Sequence, residues 1–263
     1  MANNQLLTTI DELGRATLTL NRPELHNAFD DSLIAEMTAA LKQLAADPQV
    51  RLVILAAAGK SFSAGADLGW MRRMADYSYD ENLCDAEALA ELMRTLNELS
   101  RPTIALVQGA AFGGGVGLVA CCDLVLATPA AQFCLSEVKL GLIPAVISPY
   151  VAAAIGARAA RRYSISAERF DAERAWQLGL VHEIVAADQL QQEADRYSRL
   201  LLQNGPQAMA AAKQLVAEVS QRPLTAELIA ITAERISAAR ASAEGREGLS
   251  AFLEKRRPDW VKG

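Results

Sequence analysis

Ile104-Ala105-Leu106-Val107-Gln108-Gly109-Ala110-Ala111-Phe112-Gly113-Gly114-Gly115-Val116-Gly117-Leu118-Val119-Ala120-Cys121-Cys122 decides between a membrane span and an α/β core. Its 19 residues carry no charge, which is long enough for a transmembrane helix. Five glycines, three of them consecutive, and the polar Gln108 argue the other way, because such a triplet weakens any helix through it. A buried strand over Thr103–Gln108, a glycine turn and a helix into Cys122 account for the run better. Working outward, Asp123–Ala127 and Gln132–Cys134 read as short strands, and Glu81–Leu99 reads as a helix closed by Arg101-Pro102. Earlier still come a hairpin of residues 6–10 and 16–20 around Asp11–Gly14, a helix from Asp30 or Asp31 to before Pro48, a strand at Leu52–Ala56 and a helix at Leu68–Met74. This strand, loop and helix alternation predicts an α/β fold. From about Asp188 the pattern is helical only, interrupted at Gly205-Pro206 and Arg222-Pro223.

Composition narrows the function. Of 263 residues 51% are hydrophobic but 5% aromatic, because 50 are alanine. A charged fraction of 22% and a mean hydropathy of +0.10 exclude a disordered chain. A net charge of −5 argues against a surface that coats nucleic acid. With His26 and His182 the only histidines, multi-histidine metal sites have almost no ligands to draw on. Cys84, Cys121, Cys122 and Cys134 show no C-x-x-C spacing and read as small core residues of a reducing compartment. The opening MANNQLLTTI has neither basic flank nor long apolar core, so a cytoplasmic location without secretory signal is expected.

Several motifs compete. Gly59-Lys60-Ser61 resembles the end of a phosphate-binding loop, but Ile54 stands where that motif needs glycine. No G-x-S-x-G elbow is present for a serine hydrolase. Gly115-Val116-Gly117-Leu118-Val119-Ala120 does fit a dinucleotide fingerprint, with Glu137 20 residues beyond Gly117. Against it, such a fingerprint usually sits on its domain's first strand, and more than a hundred residues precede it here. A second small-residue loop, Phe62-Ser63-Ala64-Gly65-Ala66-Asp67-Leu68, also runs from a strand into a helix, with Asp67 suited to capping. Each loop alone is an ordinary connection. Together they can aim two backbone N–H groups at one oxygen, and oxyanion donors contribute roughly 3 kcal/mol each.

F-S-A-G-A-D-L (62–68), V-Q-G-A-A-F-G-G-G-V-G-L (107–118) and A-Q-F-C-L-S-E-V-K-L-G-L-I-P (131–144) resemble the enoyl-CoA hydratase/isomerase (crotonase) superfamily in content, order and spacing. N-R-P-E-L-H-N-A-F (21–29) and F-L-E-K-R-R-P (252–258) are similar to it as well, so the resemblance spans nearly the whole chain and displaces the dinucleotide reading. It implies a crotonase fold, a ClpP/crotonase-like α/β spiral of ββα units over 1–187. A helical region over 188–263 would serve oligomerisation and active-site cover, in homotrimers or hexamers built as dimers of trimers. The implied substrate is an acyl-CoA thioester, with no metal, no separate cofactor, no nucleic acid and no membrane partner.

The resemblance also implies roles. Ala66 and Gly114 match the oxyanion donors. Ala64, Asp67 and Leu68 match positions beside pantetheine and adenine, Arg22 and Leu25 match a nucleotide-contacting turn, and Lys255 matches a lysine that approaches CoA phosphates, often from a neighbouring subunit. Family hydratases typically carry two glutamates; the later matches Glu137, while the earlier is replaced by Gly117. One carboxylate suits either hydration of a 2-enoyl thioester or a 3-enoyl to 2-enoyl shift, and a non-catalytic acyl-CoA-binding homologue stays open. Trp70-Met71 and L-S-E-V-K-L-G-L-I-P-A-V-I-S-P-Y look like bacterial 3-methylglutaconyl-CoA hydratases and the related isohexenylglutaconyl-CoA (isoprenoid-derived) hydratases of leucine or isoprenoid catabolism. Ordinary hydratases are instead glycine-rich where this chain has Ala145–Tyr150. Gly117 is accordingly expected to open volume near C3, Trp70, Met71 and Met74 to line an acyl pocket or pack the core, and Arg72, Arg73 and Lys139 to be either solvated helix charges or cations near a distal carboxylate.

Overall fold

A computed structural model describes residues 4–220 and 222–261, so the first three residues of the opening MANNQLLTTI lie outside the described residues. β1 (Leu6–Ile10) and β2 (Arg15–Leu20) form the expected antiparallel hairpin, with Leu6 opposite Leu20. α1 (Asp31–Ala46) begins where the Asp30 carboxylate accepts the Leu33 N–H, and its buried stripe of Leu33, Ile34, Met37, Leu41 and Leu44 has helical spacing. β3 (Leu52–Ala57), α2 (Leu68–Met74) and α3 (Tyr79–Asn97) follow; α3 opens ahead of Glu81 because Ser78 and Glu81 form a reciprocal capping box.

The uncharged stretch divides into β4 (Thr103–Val107), β5 (Ala110–Phe112) and α4 (Gly114–Ala120). Among the described residues no helix is long and apolar enough to cross a membrane. The expectation of a plain glycine turn after β4 is corrected here, since Ala110–Phe112 is a strand of its own. β6 (Leu124–Ala127) and β7 (Gln132–Cys134) precede a 3-10 turn at Glu137–Leu140. Next come α5 (Ser148–Ser166, broken at Gly156), β8 (Phe170–Asp171), α6 (Ala172–Leu178) and β9 (Glu183–Ile184). After that, only α7 (Leu190–Leu202), α8 (Pro206–Val219), α9 (Ala226–Ala241) and α10 (Ala243–Leu253) occur among the described residues.

Six strands form one sheet in the order β1-β2-β3-β4-β6-β9, parallel except for the first pair. Its central strands are covered on both faces, which is why their sequences are continuous apolar runs rather than alternations. Val53, Leu55, Ala105, Val107, Val125 and Ala127 face the main core with α1, α3 and α4, while Leu52, Ile54, Ile104, Leu106 and Leu126 face α7 around Ala194. A smaller sheet, β5-β7-β8, positions the site. β5 pairs with β7 on one side and, through a Ser63–Ala111 bridge, with the loop after β3 on the other. Three segments far apart in sequence are thereby anchored to one short strand.

Candidate active site

The loop after β3 is held along β5 by backbone alone. Phe62 and Ser63 donate N–H to the Ala110 carbonyl, and Phe112 donates to the Ser63 carbonyl. Gly65 adopts φ +89°, and a Cβ placed on it would stand 2.9 Å from the Phe112 carbonyl oxygen, so this crossing requires glycine. On the loop's far side Phe29 donates to the Gly65 carbonyl at 2.9 Å, and Asp67 donates to the Phe29 carbonyl at 3.0 Å. The residue between them, Ala66, keeps an N–H with no protein acceptor among the described residues. Asp67 then starts α2, its Oδ1 accepting from Gly69 and Trp70.

The second N–H belongs to Gly114, first residue of α4, where the opening turn leaves donors unused by the helix. The preceding Gly113 sits at φ +51° and ties the turn to β7 by donating to the Cys134 carbonyl. Phe29 bridges the two loops, because its ring lies against the Gly114 Cα, where a Cβ would come within 2.3 Å of Cζ. Phe29 was legible only as the last letter of N-R-P-E-L-H-N-A-F; the ring contact depends on tertiary folding.

Glu137 opens the 3-10 turn after β7, and its Oε1 lies 3.1 Å from a Cβ built on Gly113, beside the Gly114 turn. Its Oε2 is buried with no hydrogen-bond partner. Burial pushes the carboxyl above the ordinary glutamate range, a backbone N–H contact opposing it. A buried unpaired carboxylate oxygen is costly, which makes Glu137 a candidate for function.

Ala64, Ala66, Gly114 and Glu137 line one cavity of about 660 Å³. Trp70, Met71 and Met74 line it from α2, and Trp70 and Met74 pack the main core as well; Asn82, Asp85, Ala86 and Leu89 line it from α3. Asp85, absent from the sequence expectations, accepts the Trp70 indole N–H at 2.8 Å and fixes that wall. Two loops supplying free N–H groups at a carboxylate-bearing apolar cavity can polarise a carbonyl and move a proton at the neighbouring carbons.

An enoyl-CoA hydratase/isomerase family model matches residues 12–263. The chain belongs to this family. A crystal structure of an enoyl-CoA hydratase from Shewanella pealeana superposes with a TM-score of 0.95 at 48% identity, covering 98% of this chain and 97% of that one. The 2,3-dehydroadipyl-CoA hydratase of Escherichia coli is 32% identical over 92% of this chain and 93% of its own length. The 1,2-epoxyphenylacetyl-CoA isomerase of the same species is 33% identical over 95% and 96%. The crotonase fold and the family's enoyl-CoA hydratase/isomerase activity class are thereby established.

Within this crotonase, the expectation that Gly117 opens volume is corrected. Gly117 opens no volume: a Cβ on it would meet Ile147 Cγ2 at 2.3 Å and Met93 Cε at 3.2 Å, and Gly117 does not line the cavity. Ile147, another residue the sequence expectations omitted, fills the room. The cavity lining contains none of Arg72, Arg73 and Lys139, and Arg73 pairs with Asp31. Arg22 faces its own fold, bonding Asp30, Asp67 and the Ala28 carbonyl. Leu25 and Leu68 are exposed outside the cavity lining, as is Lys255, which takes φ +55° just past α10.

Proposed function

We propose that the protein is a hydratase that adds water across the 2,3-double bond of a 3-substituted glutaconyl-CoA, either 3-methylglutaconyl-CoA or a longer isoprenoid analogue. The observation that carries hydration is a pair of unused N–H groups, Ala66 and Gly114, in one cavity with the single carboxylate Glu137. The thioester oxygen sits between the two donors, which draws electron density from C3. The Glu137 carboxylate takes a proton from water as the water oxygen bonds to C3. The electron pair of the double bond passes into the enolate, and the proton is returned from the Glu137 carboxyl, or through water, to C2. The raised affinity of buried Glu137 for a proton suits it to both halves of that exchange.

The likeness of residues 135–150 to glutaconyl-CoA hydratases supports the acyl class, as does the name of the dehydroadipyl-CoA relative, whose substrate also ends in a carboxylate. Coenzyme A enters with the substrate and no other cofactor or metal takes part. The backbone of Ala64, Asp67 and Leu68 runs beside pantetheine, and Arg22, Leu25 and a neighbouring subunit's Lys255 serve the nucleotide end. Exposed Leu249, Phe252 and Leu253 on α10 support assembly as a homotrimer or hexamer, in the cytoplasm.

A specific observation favours a second reading: no lysine or arginine lines the cavity among the described residues. That suits an uncharged acyl group and, with one carboxylate, a 3-enoyl to 2-enoyl isomerase. A panel of 2-enoyl, 3-enoyl and glutaconyl-CoA esters decides. Hydration fastest on the glutaconyl ester is the expected result. Double-bond migration alone makes the protein an isomerase, and binding without turnover makes it an acyl-CoA-binding homologue. Glu137→Gln is expected to lower kcat by about 10²–10⁴ with CoA-ester binding retained; near-parental turnover would remove Glu137 from the mechanism.

A further inference from the structure

Gly117 lies in α4 and Ile147 at the entry to α5, yet the two are in intimate contact. A Cβ built on Gly117 would stand 2.3 Å from Ile147 Cγ2 and 2.9 Å from its Cβ, so the Ile147 side chain occupies the space any side chain at 117 would need. The exchange is reciprocal. Where the family's hydratases carry a glutamate and a glycine-rich stretch, this chain carries a glycine and a branched apolar residue. Ile147 is only 2% exposed and also lines the acyl cavity. Gly117 follows the oxyanion donor Gly114 by three residues, one turn and about 4.5 Å along the same face of α4. A thioester whose oxygen is held at Gly114 therefore places its C2 and C3 beside that turn, against the side chain that covers it.

We propose that Ile147 is a specificity-determining residue, its branched side chain forming the apolar surface against which a substituent on C3 packs, so that the site selects 3-branched over straight-chain 2-enoyl thioesters. The inference rests on the hydratase reading. Two properties fit the role. A β-branched side chain has few rotamers, so the surface is rigid. Its seat against the backbone of Gly117, with Met93 Cε also close to that position, limits how far it can retreat. Each buried CH₂ of contact is worth about a fourfold preference.

The test measures kcat/KM for 3-methyl-2-butenoyl-CoA and crotonyl-CoA on the purified parent, Ile147→Val and Ile147→Ala. The branched-to-straight ratio is expected to fall about fourfold in I147V and more than tenfold in I147A. Melting temperature supplies an independent readout, because Gly117→Ala should destabilise the parent more than it destabilises I147A, in which Cγ2 is gone and the 2.9 Å approach to the residue-147 Cβ remains. A ratio that rises, or stays within twofold in both variants while the parent hydrates both esters, overturns the role of Ile147 alone. A parent that hydrates neither these esters nor 3-methylglutaconyl-CoA overturns the hydratase reading and this inference with it, whereas one that hydrates 3-methylglutaconyl-CoA alone overturns this inference and leaves that reading standing. I147V keeps most of the packing, so the outcome does not depend on I147A folding.

Discussion

Glu137 carries two opposed demands in one side chain. The proposed hydration needs its carboxylate ionised at the start of the cycle, whereas burial without a partner for Oε2 favours the neutral acid. The acid limb of the kcat/KM profile should therefore lie above the ordinary glutamate range rather than within it, and a limb near pH 4.5 would mean that Glu137 is solvated in the working enzyme. Linkage gives the second consequence. Because the native pKa is raised above the unfolded one, stability attributable to the neutral form is present at low pH and lost as pH rises through the interval between the two. Glu137→Gln should be inactive yet more stable than the parent at pH 8, with the gap closing as pH falls toward the unfolded glutamate value. Denaturant midpoints across that range test this, and a gap independent of pH would contradict it. The residue's identity was readable from its place 20 positions beyond Gly117, but its burial was not, since L-S-E-V-K has the look of a surface turn.

β5 sets the geometry of the site. Three residues long, it holds the loop after β3 on one edge and β7 on the other, so Ala66, Gly114 and Glu137 are brought together by pairings that span some seventy positions. Gly65 is the tightest point of that arrangement. Gly65→Ala combines a left-handed φ with a clash against the Phe112 carbonyl and should cost about 1–3 kcal/mol while lowering kcat. Gly156 supplies the control: its φ of +76° is similar, but nothing lies within 4 Å of a Cβ there. Gly156→Ala should cost about 1–3 kcal/mol through its own backbone strain and leave kcat unchanged. Equal losses of activity in the two variants would show that crowding at β5 does not set the oxyanion geometry. The long elements were legible because periodicity and caps are local: Asp30 and Asp67 mark two helix starts, whereas the Ser78 cap, three residues ahead of the expected start at Glu81, was missed. β5, the Phe29 ring on Gly114 and the Ile147 plug on Gly117 were not, because each depends on partners distant in sequence.

At the scale of the molecule, the composition is explained by a sheet buried on both faces, with α7 covering the side away from the main core. The change from alternating elements to helices near residue 188 was readable; how the helical region is fastened to the sheet was not. Arg51, immediately before β3, is one fastening, beside the Arg15–Asp195 and Lys213–Asp123 ion pairs. Its guanidinium donates to the carbonyls of Trp260 at 2.9 Å, Asn204 at 3.2 Å and Leu202 at 3.4 Å, while the Trp260 indole donates to the Gln203 carbonyl. Burial lowers the Arg51 pKa, the nearby Glu244 opposing the shift, and its Nε is buried without a partner, so the cation is held at some cost. Arg51→Met keeps the length of the apolar stem but leaves three carbonyls without their donor. The expected loss is about 2–4 kcal/mol, with hydrogen exchange accelerated around residues 202–204 and 256–261 ahead of the sheet. None of these groups lines the acyl cavity, so kcat per folded molecule should stay near the parental value. If instead the variant melts at the parental temperature with exchange unchanged, α7 packing on the sheet is sufficient to hold the helical region and the guanidinium clasp is redundant.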